Sequence, residues 1–221
     1  MRVLLIRHGE TDRNVDGRAL SRDDVPLNDR GREQARAIAD ALAERAVYGA
    51  IDAIYSSPLQ RAVATATPFA EALGLEIERD ERLIEMAAGE LEGVSRDVVR
   101  ERYPDFLRGW LSEDEVADVR MPGGETLREV QERSWPLLVE LAGRHPDATV
   151  AVVSHNFVLR ALLCRALDLP LGRFRRLLHD LAAIAAVDLG GEHPHVLVMN
   201  DRAHLRLSGA GPFVLDRTKW R

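Results

Sequence analysis

A chain of 221 residues, 46% hydrophobic and 30% charged, has the size and composition of one soluble α/β domain with a sizeable core. Its formal net charge of -6, with no basic block or tail, argues against general nucleic-acid binding, so attraction for phosphate must come from arginines gathered locally. Cys164 is the single cysteine, which excludes an intrachain disulfide and reads as a core thiol. No apolar stretch is long enough for a signal peptide or membrane span, so a cytoplasmic protein with no membrane partner is expected.

In chain order, Val3–Ile6 predicts a short buried strand with Arg7, His8 and Gly9 at its carboxyl end. A polar, arginine-rich loop follows from Asp12 to Leu27. Asn28 can cap a helix whose apolar face is Ala35, Ile38, Ala39 and Leu42. Ile51–Tyr55 reads as a strand running into a helix, with Ser57 as N-cap and Pro58 at the first helical position. That helix carries Leu59, Ala62, Val63, Ala66, Phe69, Ala70 and Leu73 inward and stops at Gly74, with a kink expected at Pro68.

Residues 86–125 are irregular and richly charged, and read as an insertion folding over the site, with short helices near Arg96–Arg102 and Phe106–Leu111. Thr126 and Glu129 form a capping box opening a helix with Val130, Leu137, Leu138 and Leu141 inward; Pro136 is a second kink candidate. Thr149–Val153 is a β-branched strand ending at Ser154-His155, and Phe157–Leu167 a buried helix. Ala182–Leu189 and His195–Met199 read as a hairpin at the sheet edge, joined through Gly190-Gly191. From Ser208 onward a surface tail is expected. This alternation predicts a single domain over 1–221: a three-layer α/β/α sandwich with a mainly parallel sheet, an antiparallel edge strand and a small helical insertion over the active site.

Ligands of such sheets bind outside the carboxyl ends of the strands. If the three strands are parallel neighbours, their ends bring Arg7, His8, Arg61 and His155 to one edge. A strand-end histidine can act as a nucleophile, and arginine presents a planar fork of donors suited to phosphate oxygens. Gly9 permits close backbone approach.

Arg7-His8-Gly9-Glu10-Thr11 with Asn14 resembles the signature of the histidine phosphatase superfamily, in its phosphoglycerate mutase-like branch. Ser56–Ala62 resembles that family's second arginine motif, Leu83–Gly93 its catalytic-acid segment, and Pro122–Thr126 and Val153-Ser154-His155 complete a set in the family's order over about residues 1–205. The resemblance implies His8 as nucleophile through a phosphohistidine, its lone pair kept available by Arg7 and Arg61. Arg7 and Arg61 would hold the phosphoryl oxygens, and His155 would donate to one of them. Glu85 would protonate the leaving oxygen and then activate water, with Glu90 and Glu92 as competitors for that role. Asn14 and Asn156 would complete the phosphate contacts.

The chain departs from the family pattern at Arg18-Ala19-Leu20-Ser21, where a glycine after an aromatic and a glutamine often stand, and at Asn156-Phe157, where glycines are more usual. The second departure would narrow the pocket floor. Arg18, Arg22, Arg108, Trp110 and Arg120 are candidates to line a pocket for an anionic organic substrate. His193 and His195 resemble half a metal site but lack a third ligand, so neither metal nor cofactor is expected.

The expected activity is metal-independent hydrolysis of a small phosphorylated metabolite. A cofactor-dependent phosphoglycerate mutase is the alternative. Mutases carry a basic, tyrosine-containing segment after the acid; Met86-Ala87-Ala88-Gly89 stands there instead. A non-catalytic phospholigand-binding protein would be expected to lack His8, Arg61, Glu85 or His155, and all four are present. A homodimer is left open.

Overall fold

The computed structural model describes residues 1–16, 18–44 and 48–209. Its strands are β1 (Arg2–Arg7), β2 (Ala53–Ser56), β3 (Ile77–Arg79), β4 (Thr149–Ser154), β5 (Ile184–Asp188) and β6 (His195–Asp201). The helices are α1 (Asp12–Asp16), α2 (Asp29–Ala43), α3 (Gln60–Leu73), α4 (Arg96–Arg102), α5 (Pro104–Leu111), α6 (Leu127–Arg144), α7 (Asn156–Ala166) and α8 (Ala203–Leu207). One six-stranded sheet has the order β3-β2-β4-β1-β5-β6. The first four strands in that order are parallel. The reversed strand is β5, one position in from the edge, and β6 pairs antiparallel with it.

Both faces of this sheet are covered, which is why β1 and β4 read as unbroken apolar runs rather than alternating ones. Val3 and Leu5 point into a cluster with Leu137 and Leu138 of α6 and Leu162 of α7. Leu4 and Ile6 point the other way, among Ile38 and Leu42 of α2 and Phe69 of α3. All four β1 side chains are fully buried, each worth roughly 1.5–3 kcal/mol over exposure. That anchorage fixes the strand ends where the chemistry-bearing residues emerge.

Several local expectations hold. Asn28 caps α2, accepting the Gly31 N–H at 2.9 Å; Gly74 closes α3 in the left-handed conformation (φ 67°); the Thr126–Glu129 capping box is formed in both directions. Others are corrected. Ser57 is not the cap of α3: the helix begins at Gln60, Ser57 Oγ accepts the Leu59 N–H just ahead of it while also engaging His155, and Asp24 accepts the Gln60 N–H at 2.7 Å from a distant loop. The loop after β1 contains α1, and α5 starts at Pro104, ahead of Phe106. β5 begins at Ile184, since Ala182 has φ 57° and turns its N–H to the His8 carbonyl at 3.1 Å. Pro68 and Pro136, the kink candidates, lie inside α3 and α6, and both helices continue past them. Of the expected tail, residues 210–221 lie outside the described residues.

Candidate active site

The register of the central strands decides which side chains meet. Arg7 is paired with Ser154 and Ser56 with Val153, so the next residues of β1, β4 and β2 (His8, His155 and Ser57) emerge together. The His8 N–H donates to the Ser154 carbonyl at 3.1 Å, and the Ser57 N–H to the Val153 carbonyl at 2.9 Å. The two imidazoles face each other with ring centroids 5.1 Å apart.

Both histidines are buried and neutral, but they are held differently. His8 Nδ1 lies 2.7 Å from the Gly9 carbonyl. A carbonyl only accepts, so Nδ1 carries the proton and Nε2 keeps its lone pair. Burial, reinforced by Arg61 and Arg7, drives the His8 pKa well below its ordinary value against the weaker pull of that carbonyl. At His155, Nε2 lies 2.7 Å from Ser57 Oγ. Ser57 Oγ already receives the Leu59 N–H. That oxygen can give its proton to Nε2 or receive one from it; in the tautomer in which Ser57 donates, the ring proton sits on Nδ1, which is buried without a protein partner. Burial, then Arg61 and His8, also push the His155 pKa far down.

Arg7 and Arg61 supply positive charge beside the imidazoles. The Arg61 side chain is fully buried; its Nη1 donates to the Asp23 carbonyl at 2.8 Å and its Nη2 to the Ser21 carbonyl at 2.5 Å. Arg7 Nη1 donates to the His179 carbonyl at 2.8 Å. The Nε atoms of both are buried without a partner. Desolvation lowers the Arg7 pKa to about 10 and lowers that of Arg61, leaving both charged at neutral pH.

Glu85 is the third kind of group. One carboxylate oxygen accepts the Met86 N–H at 2.9 Å, and the carboxylate takes the Phe157 N–H at 3.2–3.3 Å near the start of α7. Burial raises its pKa above the usual carboxylate value, opposed by the Met86 N–H, Arg61, the Phe157 N–H and Arg7. Glu92 is instead engaged with the Ser21 and Arg22 amides, and Glu90 with the Tyr103 hydroxyl. The sheet edge thus presents a bare nitrogen lone pair on His8, two guanidinium groups, an unpartnered buried imidazole nitrogen on His155 and a carboxyl with a raised pKa.

The other predicted residues divide. Asn14 stays beside the β1 exit, where its side-chain oxygen accepts from the Thr11 amide and hydroxyl at 3.1 and 2.9 Å. Asn156 opens α7 directly after His155. Arg22 reaches the Glu85 carbonyl and pairs with Glu125; Trp110 packs edge-on against Phe157 at 5.8 Å. Arg18 bonds the Gly93 carbonyl, Arg108 is an exposed partner of Asp105, and Arg120 is occupied by Glu129 and the Gly124 carbonyl. None of these three is drawn to the histidines by a contact. Among the described residues no group of three His, Cys, Asp or Glu side chains is placed to hold a metal, and no helix is long and apolar enough to cross a membrane.

Sequence reasoning missed four supports. Ser57 orients His155, and Thr65 Oγ1 accepts the Gly9 N–H at 3.0 Å. Ser21, at the family departure, ties its loop to the acid segment by donating to the Met86 carbonyl and accepting the Ala88 N–H. Arg133 of α6 binds the carbonyls of Arg82 and Ile84 at 2.7 Å and pairs with Glu125, clamping the chain that carries Glu85. The β1 exit also lies hard against the start of α2: a Cβ on Gly9 would sit 2.6 Å from the Gly31 carbonyl, and one on Gly31 would sit 2.1 Å from the Glu10 carbonyl.

A mixed α/β sheet with two histidines and two arginines converging at one set of strand ends is the frame of a phosphoryl-binding protein. Residues 3–202 match the profile of the histidine phosphatase superfamily (branch 1), and the chain belongs to that superfamily. It is 35% identical over 205 residues to phosphoserine phosphatase 1 of Hydrogenobacter thermophilus, covering 93% of this chain and 94% of that protein. It is 33% identical over 188 residues to the probable phosphoglycerate mutase GpmB of Salmonella choleraesuis, covering 85% of each. The fold superimposes on a mycobacterial glucosyl-3-phosphoglycerate phosphatase with a TM-score of 0.80 at 30% identity, covering 91% of this chain and 99% of that one.

Proposed function

We propose that this histidine phosphatase hydrolyses small phosphomonoesters, without a metal, through a phosphohistidine on His8. The observation that carries the reading is the bond from His8 Nδ1–H to the Gly9 carbonyl, because it commits the bare Nε2 lone pair to attack. In the first step that lone pair forms a bond to phosphorus as the ester P–O bond breaks, and the departing oxygen takes the Glu85 proton. Arg7, Arg61, Asn14, the His155 Nδ1–H and Asn156 serve the phosphoryl oxygens, on which charge accumulates. In the second step the Glu85 carboxylate takes a proton from water, the water oxygen attacks phosphorus, and the P–N bond breaks to restore neutral His8 and release phosphate.

Hydrolysis is favoured over the mutase reading by the segment after the acid. Met86 and Ala88 are 1% and 7% exposed and belong to the core, so this stretch brings no cation to a second phosphorylated hydroxyl. Two of the relatives bear phosphatase names. Rapid quenching during turnover of a labelled substrate is the test. An acid-labile, base-stable adduct mapping to His8 is expected, with phosphate release outrunning conversion of 3-phosphoglycerate to 2-phosphoglycerate. A phosphoserine adduct, restoration of EDTA-abolished turnover by zinc or magnesium, or dominant mutase turnover overturns it.

A further inference from the structure

Arg7 and Arg61 share a feature with a second pair of arginines. Arg160 on α7 and Arg175, in the 3-10 turn Leu171–Arg176, are desolvated by burial, and among the described residues neither has a carboxylate within ion-pair range. Most of the molecule's other arginine clusters are answered by acids, as at Arg133–Glu125, Arg144–Glu140 and Arg202–Asp180. Arg160 donates from Nε and Nη2 to the Phe174 carbonyl at 3.1 and 2.8 Å, and its guanidinium lies 4.6 Å from the Phe174 ring centroid. Arg175 lies 4.7 Å from that same ring and 5.2 Å from that of Trp110, and donates from Nη2 to the Trp110 carbonyl at 2.6 Å. Its Nη1 is buried with no partner at all. Carbonyls and ring faces orient these cations but do not neutralise them, and Arg160 is repelled by both Arg7 and Arg175. Partly desolvated charges of one sign in this arrangement are costly unless a counter-charge arrives.

The pair also stands beside the reaction site. Arg160 projects from the helix that begins immediately after His155, and it feels the charges of both Arg7 and Glu85. The Phe157 N–H holds Glu85, and the Phe157 ring packs against Trp110 and Phe174 at 5.8 and 6.0 Å. The planar guanidinium forks suit a carboxylate or phosphate equally.

Resting on the phosphatase reading, we infer that Arg160 and Arg175, walled by Trp110, Phe157 and Phe174, form a subsite for a second anionic group of the substrate. The preferred substrate is then a phosphomonoester that also carries a carboxylate or a further phosphate, joined through an apolar stretch.

The experiment compares ω-carboxyalkyl phosphates of increasing chain length with alkyl phosphates of the same length, and α,ω-alkanediol bisphosphates as the second arm. The parent protein is expected to prefer one doubly anionic series at some length by at least tenfold in kcat/KM, expressed mainly in KM. The series preferred tells carboxylate from phosphate. Arg175→Gln and Arg160→Gln should each cut that preference at least fivefold, Arg175→Lys and Arg160→Lys should cut it less, and the exposed Arg100→Gln should leave it as in the parent. Thermal melting checks folding; should a glutamine variant unfold, the lysine variants and the other arginine carry the test. Calorimetric binding of ω-carboxyalkylphosphonates against alkylphosphonates gives the same ratio without turnover. Selective phosphonate binding with no hydrolysis would therefore sink the hydrolase reading and support the subsite. Equal handling of singly and doubly anionic compounds at every length, or a preference untouched by all four arginine variants, overturns the subsite.

Discussion

The ends of β1 and β4 are neighbouring, parallel and written alike: an apolar strand, one polar residue, then a histidine. They nevertheless present opposite chemistry. At the end of β1 a backbone carbonyl consumes the ring proton of His8 and exposes a lone pair. At the end of β4 the Ser57 hydroxyl engages Nε2 of His155, and in the tautomer the proposed mechanism uses, it consumes that lone pair and leaves a buried Nδ1–H without a partner. One strand end therefore offers an electron pair and its neighbour a hydrogen-bond donor, although both rings are neutral for the same reason, burial beside arginines. The difference lies in which group one residue away, or one strand away, reaches the ring first.

Exchanging the two histidines for alanine should break the symmetry most visibly. His8→Ala removes the proposed nucleophile and is expected to cost on the order of 10⁴-fold or more in phosphate release, whereas His155→Ala removes one donor, about 10²–10³-fold. Steady-state turnover measures both; equal losses would show that the strand ends do not divide the labour this way.

Glu85→Gln sets the scale for the acid that serves the His8 side. Alkyl phosphates, whose leaving oxygen needs a proton, should lose roughly 10²–10⁴-fold in the phosphorylation step. The nitrophenol burst from p-nitrophenyl phosphate should fall far less, since that oxygen leaves unaided. A pre-steady-state burst reduced as much as the alkyl rate would move the acid to Glu90 or Glu92. Because the Glu85 pKa is raised and the protonated form does the first step, the alkyl-phosphate rate should decline as pH rises through that pKa, and the glutamine variant should lose this limb.

Shared neutrality has a measurable cost in acid. His8 and His155 have folded pKa values well below 6.5, and His179 is lowered to about 3 by burial and then by Arg7. The unfolded chain binds protons there first, so the stability these groups contribute is complete above about pH 6.5 and is lost as pH falls below it. Between pH 6.5 and 5.5 each histidine costs about 1 kcal/mol, roughly 3 kcal/mol for the three, partly offset by Glu85, whose raised pKa acts in the opposite sense. Denaturant melts between pH 6.5 and 5.5 should show that slope, and His179→Phe should flatten it by about a third. A slope unchanged in the variant would mean that His179 is protonated in the fold.

Ser57→Ala is the finest of these perturbations. It frees the His155 lone pair and loosens the tautomer without removing the ring. The hydrogen bond is worth about 1 kcal/mol, so about fivefold in kcat is expected, with KM for phosphomonoesters little changed. A loss as large as that of His155→Ala would make Ser57 a direct phosphate contact.

How much of this was written in the sequence can be judged from these same positions. The strand-end histidines were legible because an unbroken run of four apolar residues, all fully buried, leaves little freedom in where β1 must emerge. Ser57 was misread because a serine before proline is the ordinary mark of a helix start, and local pattern carries no sign of a competitor 98 residues away. Its displaced role fell to Asp24, in a loop that looked merely polar. Arg133, Arg160 and Arg175 were illegible for a related reason. Helical periodicity sorts apolar from polar faces, but it does not show that Glu125, Phe174 and Trp110 will meet these side chains. Pro68 is half-buried and Pro136 exposed, and neither ends its helix, since on an outer face water can take the carbonyl that a proline leaves without a donor.

The contact between Gly9 and Gly31 sets a limit on how such a protein can be altered. Main chain rests on main chain there, with no side chain between them to lengthen, trim or tilt. The height of the His8 ring above the sheet is therefore not a quantity that point substitution can adjust, and a screen for new substrates will gain nothing at that floor. Adaptation has to come from the roof and the walls, where Ser21, Arg22, Trp110 and Arg175 hang on side-chain contacts that single codon changes can rewrite.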